Sequence, residues 1–173
     1  MVSNFPYAIN KSSTNQTCTE YLPGRCCFHR SAPRETMAWY ESVDALLANK
    51  DGLAAFRAFL KSEFSEENIE FWLACEDFRK TKSAAKIVSK AKKIYSDFIQ
   101  ADAPKEINID FNTRDHISQN IEEPTLKCFD NAQRLIYSLM VKDSFPRFLK
   151  SEVYKELVNR QQNGKQKRCL PFL

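Results

Sequence analysis

Three glycines in 173 residues, at Gly24, Gly52 and Gly164, leave little from which to build hairpin turns or the Gly-rich loops that cradle phosphates. The chain instead carries 13 phenylalanines, and a domain of this length buries roughly two-thirds of its unfolded surface. A single all-α domain is the expectation.

Charge is unevenly spread. The net charge is +4, but residues 37 to 158 hold 18 basic against 20 acidic side chains. The positive surplus lies in the two tails, with 4 basic and 2 acidic residues in 1 to 36, and 4 basic and none acidic in 159 to 173. Basic tails beside a near-neutral domain suit an anionic membrane surface, whereas a nucleic-acid binder carries its patch on the domain itself. No nucleic-acid partner is expected. The N-terminus lacks the apolar h-region of a secretory signal, and no run approaches the ~18 residues of a membrane span. The six cysteines are therefore expected to be reduced thiols in a cytoplasmic protein.

Residues 1 to 36 are rich in Asn, Ser, Thr and Pro without periodicity and read as a mostly disordered segment. Within it, Cys26 and Cys27 stand between Arg25 and Arg30 with Phe28 beside them. Acylation there would combine a lipid chain with basic flanks, the two signals that stable attachment needs. Ordinary thiols are the alternative. Adjacent cysteines lack zinc-ligand spacing, so no metal site is expected.

Residues 37 to 160 read as the folded domain, followed by a basic tail, 161 to 173, whose Cys169 is misplaced for a prenylation box. Gly52 is expected to punctuate before a helix from Leu53 to Ser62. Ser65 is the candidate N-cap of the next helix, running to about Lys80, with Glu66 and Glu67 in its first turn and Ile69, Trp72 and Leu73 opening its apolar face. Glu76 sits at i, i+4 from Lys80. Between Ala84 and Ile99, Ile87, Ala91, Ile94 and Phe98 form one stripe, with Val88 beside it and Lys86, Lys90, Lys92 and Lys93 opposite. Pro104 breaks the chain before a loop, a helix opens at Thr113, and another spans Thr125 to Met140. Asp143 and Ser144 look like the N-cap of a short helix, and Ser151 like that of the last, to about Arg160.

No Gly-x-Ser-x-Gly elbow, His-Glu-x-x-His pair or phosphate loop occurs, and His29 and His116 are the only histidines. Neither catalytic residues nor a cofactor are expected.

Four blocks, in order and at characteristic spacing, carry a resemblance: Leu53 to Lys61, Phe71 to Phe78, Ala103 to Asp110 and Asp143 to Leu149, with the helix-opening stretch Ser62 to Trp72 leading from the first into the second. The chain resembles the RGS family, the regulators of G-protein signalling, and among them the small members with a single RGS box. The resemblance implies about nine helices including a central antiparallel four-helix bundle. It implies a protein that is not itself an enzyme but accelerates GTP hydrolysis by a heterotrimeric G-protein α subunit of the Gi/o or Gq class, so damping receptor signalling. A monomer acting at the inner face of the plasma membrane is expected, its partner the GTP-bound or transition-state α subunit. A scaffold that binds without accelerating is the alternative.

By the same resemblance, Glu63, Phe64, Ser65, Glu67 and Asn68 meet the partner's switch segments. Asn108 approaches the partner's catalytic glutamine, and Leu139, Asp143, Ser144 and Arg147 form a third surface, with Arg147 holding Asp143 in place. Each has a plainer alternative: Asp143 as a cap, Arg147 in an internal salt bridge, Glu63 and Glu67 as acids favoured by the helix dipole, Leu139 in the core, Asn108 as a turn former. Cys75 matches a thiol acylated in relatives, with burial in the core as its alternative. Val141 and Phe145 depart from the Glu and Tyr usual in relatives.

Overall fold

Trp39 and residues 42–166 are described by the computed structural model, side chains as far as Gln162. Among them the chain is helical with no strand: α1 Val43–Ala48, α2 Lys50–Ser62, α3 Glu66–Arg79, α4 Ala84–Ile94, α5 Phe111–Asn120, α6 Asp130–Leu139, α7 Phe145–Lys150 and α8 Glu152–Gln166. Two π-helical turns, Tyr95–Ile99 and Met140–Ser144, extend α4 and join α6 to α7. The all-α expectation holds. Cys26, Cys27 and Cys169 lie outside the described residues.

Side-chain caps set the helix starts. Asn49 Oδ1 accepts from the amides of Asp51 at 2.9 Å and Gly52 at 3.1 Å, so α2 begins at Lys50 and Gly52 lies inside it rather than before it. A Cβ on Gly52 would stand 2.6 Å from the Leu46 carbonyl oxygen and 2.9 Å from Leu46 Cδ1. The glycine thus permits close approach of α1 and α2 rather than a break in the chain. Asp110 caps α5, accepting from Thr113 N at 2.9 Å and from the Thr113 hydroxyl at 2.7 Å, which moves the helix start back from Thr113 to Phe111. Ser151 caps α8 as expected, accepting from Tyr154 N at 3.2 Å, but the helix continues past Arg160.

Two other expectations are corrected. Residues Thr125 to Phe129 form turns, and α6 starts only at Asp130. Asp143 and Ser144 cap nothing: backbone hydrogen bonding passes from α6 through the π-turn into α7 without a break.

Within one continuous core, two groups of ring contacts stand out. In the bundle α3–α6, Phe78 meets Phe129 at 5.4 Å and Phe71 meets Phe98 at 5.7 Å. In the layer formed by α2, α7 and α8, Phe148 lies between Phe56 at 5.2 Å and Tyr154 at 5.3 Å. Such edge and tilted pairs add roughly 0.5–1.5 kcal/mol each beyond the area they bury. Helix α3 packs against α2, α4 and α6, and buries Ile69, Phe71, Cys75 and Phe78. Trp72 and Leu73, expected on that buried face, sit at its margin, where Trp72 stacks on Tyr137 at 6.4 Å.

The stripe on α4 buries Ala91, Ile94 and Phe98, and leaves Val88 exposed. Three of its lysines are paired: Lys90 with Asp77, Lys92 with Glu122 and Lys93 with Asp97. That matches a solvated face. Glu76 pairs with Arg79 at 3.1 Å, not with Lys80, and also accepts from Gln133 Nε2 at 2.8 Å.

Candidate functional site

The turn between α2 and α3 has an unusual residue at its pivot. Ser65 N donates to Leu60 O at 2.9 Å and Phe64 N to Lys61 O at 3.1 Å, the paired bonds that close a helix on a left-handed residue. Glycine normally fills that place, because a side chain there is strained. Here it is Phe64, with φ 54 and 95% of its surface exposed. The fold therefore holds a large aromatic ring in water on a strained backbone, a combination that packing does not explain.

Ser65 stands at the N-cap position without capping: its hydroxyl donates back to Leu60 O at 3.3 Å. Asn68, 6% exposed, donates to Ser65 O at 3.3 Å and to Glu67 Oε1 at 3.4 Å. Its Oδ1 is buried without a partner, which costs about 1–3 kcal/mol. A polar residue kept at that cost, in the first turn of α3, marks the same region as Phe64.

Arg147 ties this turn to the third surface. Its Nη2 lies 2.8 Å from Glu63 Oε2, its Nε 3.1 Å from Glu63 Oε1, and its Nη1 donates to Asp143 Oδ1. The bonds to Glu63 and then Asp143 raise the guanidinium above its ordinary value, so it is charged at any working pH. The internal salt bridge foreseen for Arg147 is thus real, and it also holds Asp143 and Glu63 side by side at the surface. Ser144 is buried, Leu139 half-buried and Asp143 exposed. Val141 is half-buried and Phe145 buried, so both departures from the family pattern pack inward.

The loop after Pro104 reaches the same end of the bundle. A groove of about 370 Å³ is lined by Lys61, Phe64, Glu66, Glu67 and Glu70 on one side and by Pro104 and Lys105 on the other. Lys105 Nζ also bonds to Glu70 Oε2. Asn108 follows, exposed, three residues along this loop. Bundle topology explains the gathering: α3 starts at this end, α4 returns to it, α5 leaves it and α6 comes back.

Glu70, Arg57 and Lys105 were not among the residues that the sequence singled out. The available signal was Lys105 directly after Pro104 inside a recognised block. Cys75 lies in the core at 3% exposure, its thiol pushed up by burial, which is the alternative anticipated for it. Acylation of that sulfur would require α3 to move. Among the described residues no cluster of three or more His, Cys, Asp or Glu could hold a metal, and no helix is long and apolar enough to cross a membrane.

Residues 42–157 match the family model described as the Regulator of G protein signaling domain. The chain is 73% identical over 152 residues to human Regulator of G-protein signaling 21, covering 88% of this chain and 100% of that protein. It is 51% identical over 155 residues to human Regulator of G-protein signaling 8, covering 88% of this chain and 86% of that one. Against mouse Regulator of G-protein signaling 18 it is 57% identical over 129 residues, or 75% of this chain and 55% of that protein. Family model and relatives agree along most of the chain, and the protein belongs to the RGS family, the regulators of G-protein signalling.

Proposed function

We propose that this protein is a GTPase-activating protein for heterotrimeric G-protein α subunits of the Gi/o or Gq class. The observation that carries the reading is the clamp of Glu63 and Asp143 on one guanidinium, set beside the strained, exposed Phe64. Such a tip is rigid and charged before a partner arrives, so little ordering cost is incurred on binding.

The partner brings its own chemistry. A Gα protein carries its arginine in cis and a glutamine that orients water, so an activator need insert no group among the phosphates. It has only to bind the switch segments more tightly in their transition-state arrangement than before it. A hundredfold acceleration requires about 2.7 kcal/mol of such differential binding, within reach of a few hydrogen bonds. In this reading Glu63, Phe64, Ser65, Glu67 and Asn68 meet the switch segments, and Asn108 abuts the catalytic glutamine. Asp143, held by Arg147, accepts from backbone amides of the first switch, with Leu139 and Ser144 completing that surface.

The tails supply location. Acylation at Cys26 and Cys27, with the basic flanks, would hold the RGS domain as a monomer at the inner leaflet of the plasma membrane. Labelling with a palmitate analogue tests this: signal lost in Cys26→Ser with Cys27→Ser supports it, and unchanged signal refutes it.

Single-turnover GTP hydrolysis by purified Gα subunits tests the function. Acceleration that disappears in Asn108→Ala combined with Asp143→Ala supports it. Binding without acceleration would make the protein a scaffold instead.

A further inference from the structure

Glu70 lies one turn along α3 from Glu66 and Glu67, and two cations share its carboxylate. Arg57, on α2, donates through Nη2 to Oε1, and Lys105, in the loop that carries Asn108, donates through Nζ to Oε2. The Glu70 side chain is 15% exposed, against 46% for Arg57 and 52% for Lys105. A carboxylate drawn this far from water keeps its charge only where cations hold it. Burial pushes the Glu70 carboxyl up, but the bonds from Lys105 and Arg57 together outweigh it and leave it below its ordinary value.

The fastenings of the loop run from this tie to the residue before Asn108. Lys105 N donates to Asp97 O at 3.1 Å, Ile107 N donates to Phe98 O at 3.0 Å, and Glu106 pairs with Arg114 at 2.7 Å. Three consecutive residues are thereby held, with Ile107 buried, and Asn108 is the next in line. Among the described residues, Lys105 to Glu70 is the polar bond between this loop and α3, whose first turn carries Glu67 and Asn68.

We propose that Glu70 is a positioning residue for the activity: it fixes Lys105, and through it the placement of Asn108 relative to the first turn of α3. This rests on the function proposed above. Glu70 bonds within the protein and acts on the partner through Asn108 alone.

The test measures affinity for the GDP–aluminium fluoride form of Gα in a double-mutant cycle. Glu70→Gln keeps the size of the side chain and removes its charge. It should weaken binding about fivefold, the upper range for a partly screened ion pair. Lys105→Met should do the same, and the two together no more than either alone. In an Asn108→Ala background, Glu70→Gln should change affinity by less than about twofold. Hydrogen exchange at the Ile107 amide, measured without partner, should quicken in Glu70→Gln.

A full fivefold loss in the Asn108→Ala background would make Glu70 a general support or a direct contact, and overturns the inference. Unchanged affinity or unchanged Ile107 exchange in Glu70→Gln overturns it too, while leaving the proposed function standing if the wild-type chain accelerates hydrolysis. Should the wild type fail to accelerate hydrolysis, function and inference fall together.

Discussion

Arg147 lies side-on to Glu63, 84 residues earlier in the chain, with two guanidinium nitrogens on its carboxylate and a third nitrogen on Asp143. One planar fork thus fixes two acids from two separate turns.

Arg147→Lys preserves the positive charge and removes the fork, so it tests geometry rather than electrostatics. Acceleration of GTP hydrolysis should fall roughly tenfold, since one ammonium cannot hold both carboxylates in place. Because the group is exposed, the melting temperature should hardly change. Single-turnover assays and thermal melts on the same preparation check both.

Phe64 occupies a left-handed position that glycine would fill without strain. Phe64→Gly should therefore stabilise the folded domain, by about 0.5–1 kcal/mol if relief of strain outweighs the added freedom of the unfolded chain. It should also weaken binding to Gα at least tenfold, as the proposed contact role of the ring requires. Stabilisation with loss of affinity is the sign of a residue kept for function. Urea unfolding and binding measurements decide it.

Much of this was legible in the chain. Helix identity followed from apolar spacing, and the domain from four recognisable blocks. Helix starts at Lys50 and Phe111 were less so, because Asn49 and Asp110 also read as ordinary loop residues until their side chains are seen on the amides. Asp143 and Ser144 have the composition of a cap, but Arg147 claims the Asp143 carboxylate and the π-turn carries the backbone through. Extra-wide turns have no periodicity of their own to read. Joining Glu63 to Arg147, or Glu70 to Lys105, is tertiary, and no local pattern encodes it.

Acid should weaken the domain through two carboxyls. Asp110 is held below its ordinary value by the Thr113 hydroxyl and then by the Thr113 backbone amide. Glu70 is held below its own by Lys105 and Arg57, against the opposing effect of burial. A group with a depressed folded pKa contributes stability that is fully present above its unfolded value, about 4, and is lost as pH falls through the folded one. The urea midpoint should thus drop below about pH 4, and Glu70→Gln and Asp110→Asn should each flatten that slope. A slope unchanged from wild type in both variants would contradict the assignment.

Gly52→Ala tests the close approach of α1 and α2. Helix propensity alone favours alanine by about 1 kcal/mol. The new methyl would meet Leu46 O at 2.6 Å, however, and a backbone atom cannot swing away. A net loss of about 1–3 kcal/mol is expected, with activity per folded molecule retained, as read from denaturant midpoints and hydrolysis assays.

Comparing affinity for the GTP-like, GDP–aluminium fluoride and GDP states of one Gα subunit tests the account most directly. Binding to the aluminium fluoride state should exceed binding to the GTP-like state by about a hundredfold or more, the ratio that the differential stabilisation demands. Equal affinity for all three states, in every Gi/o and Gq subunit tried, would contradict it.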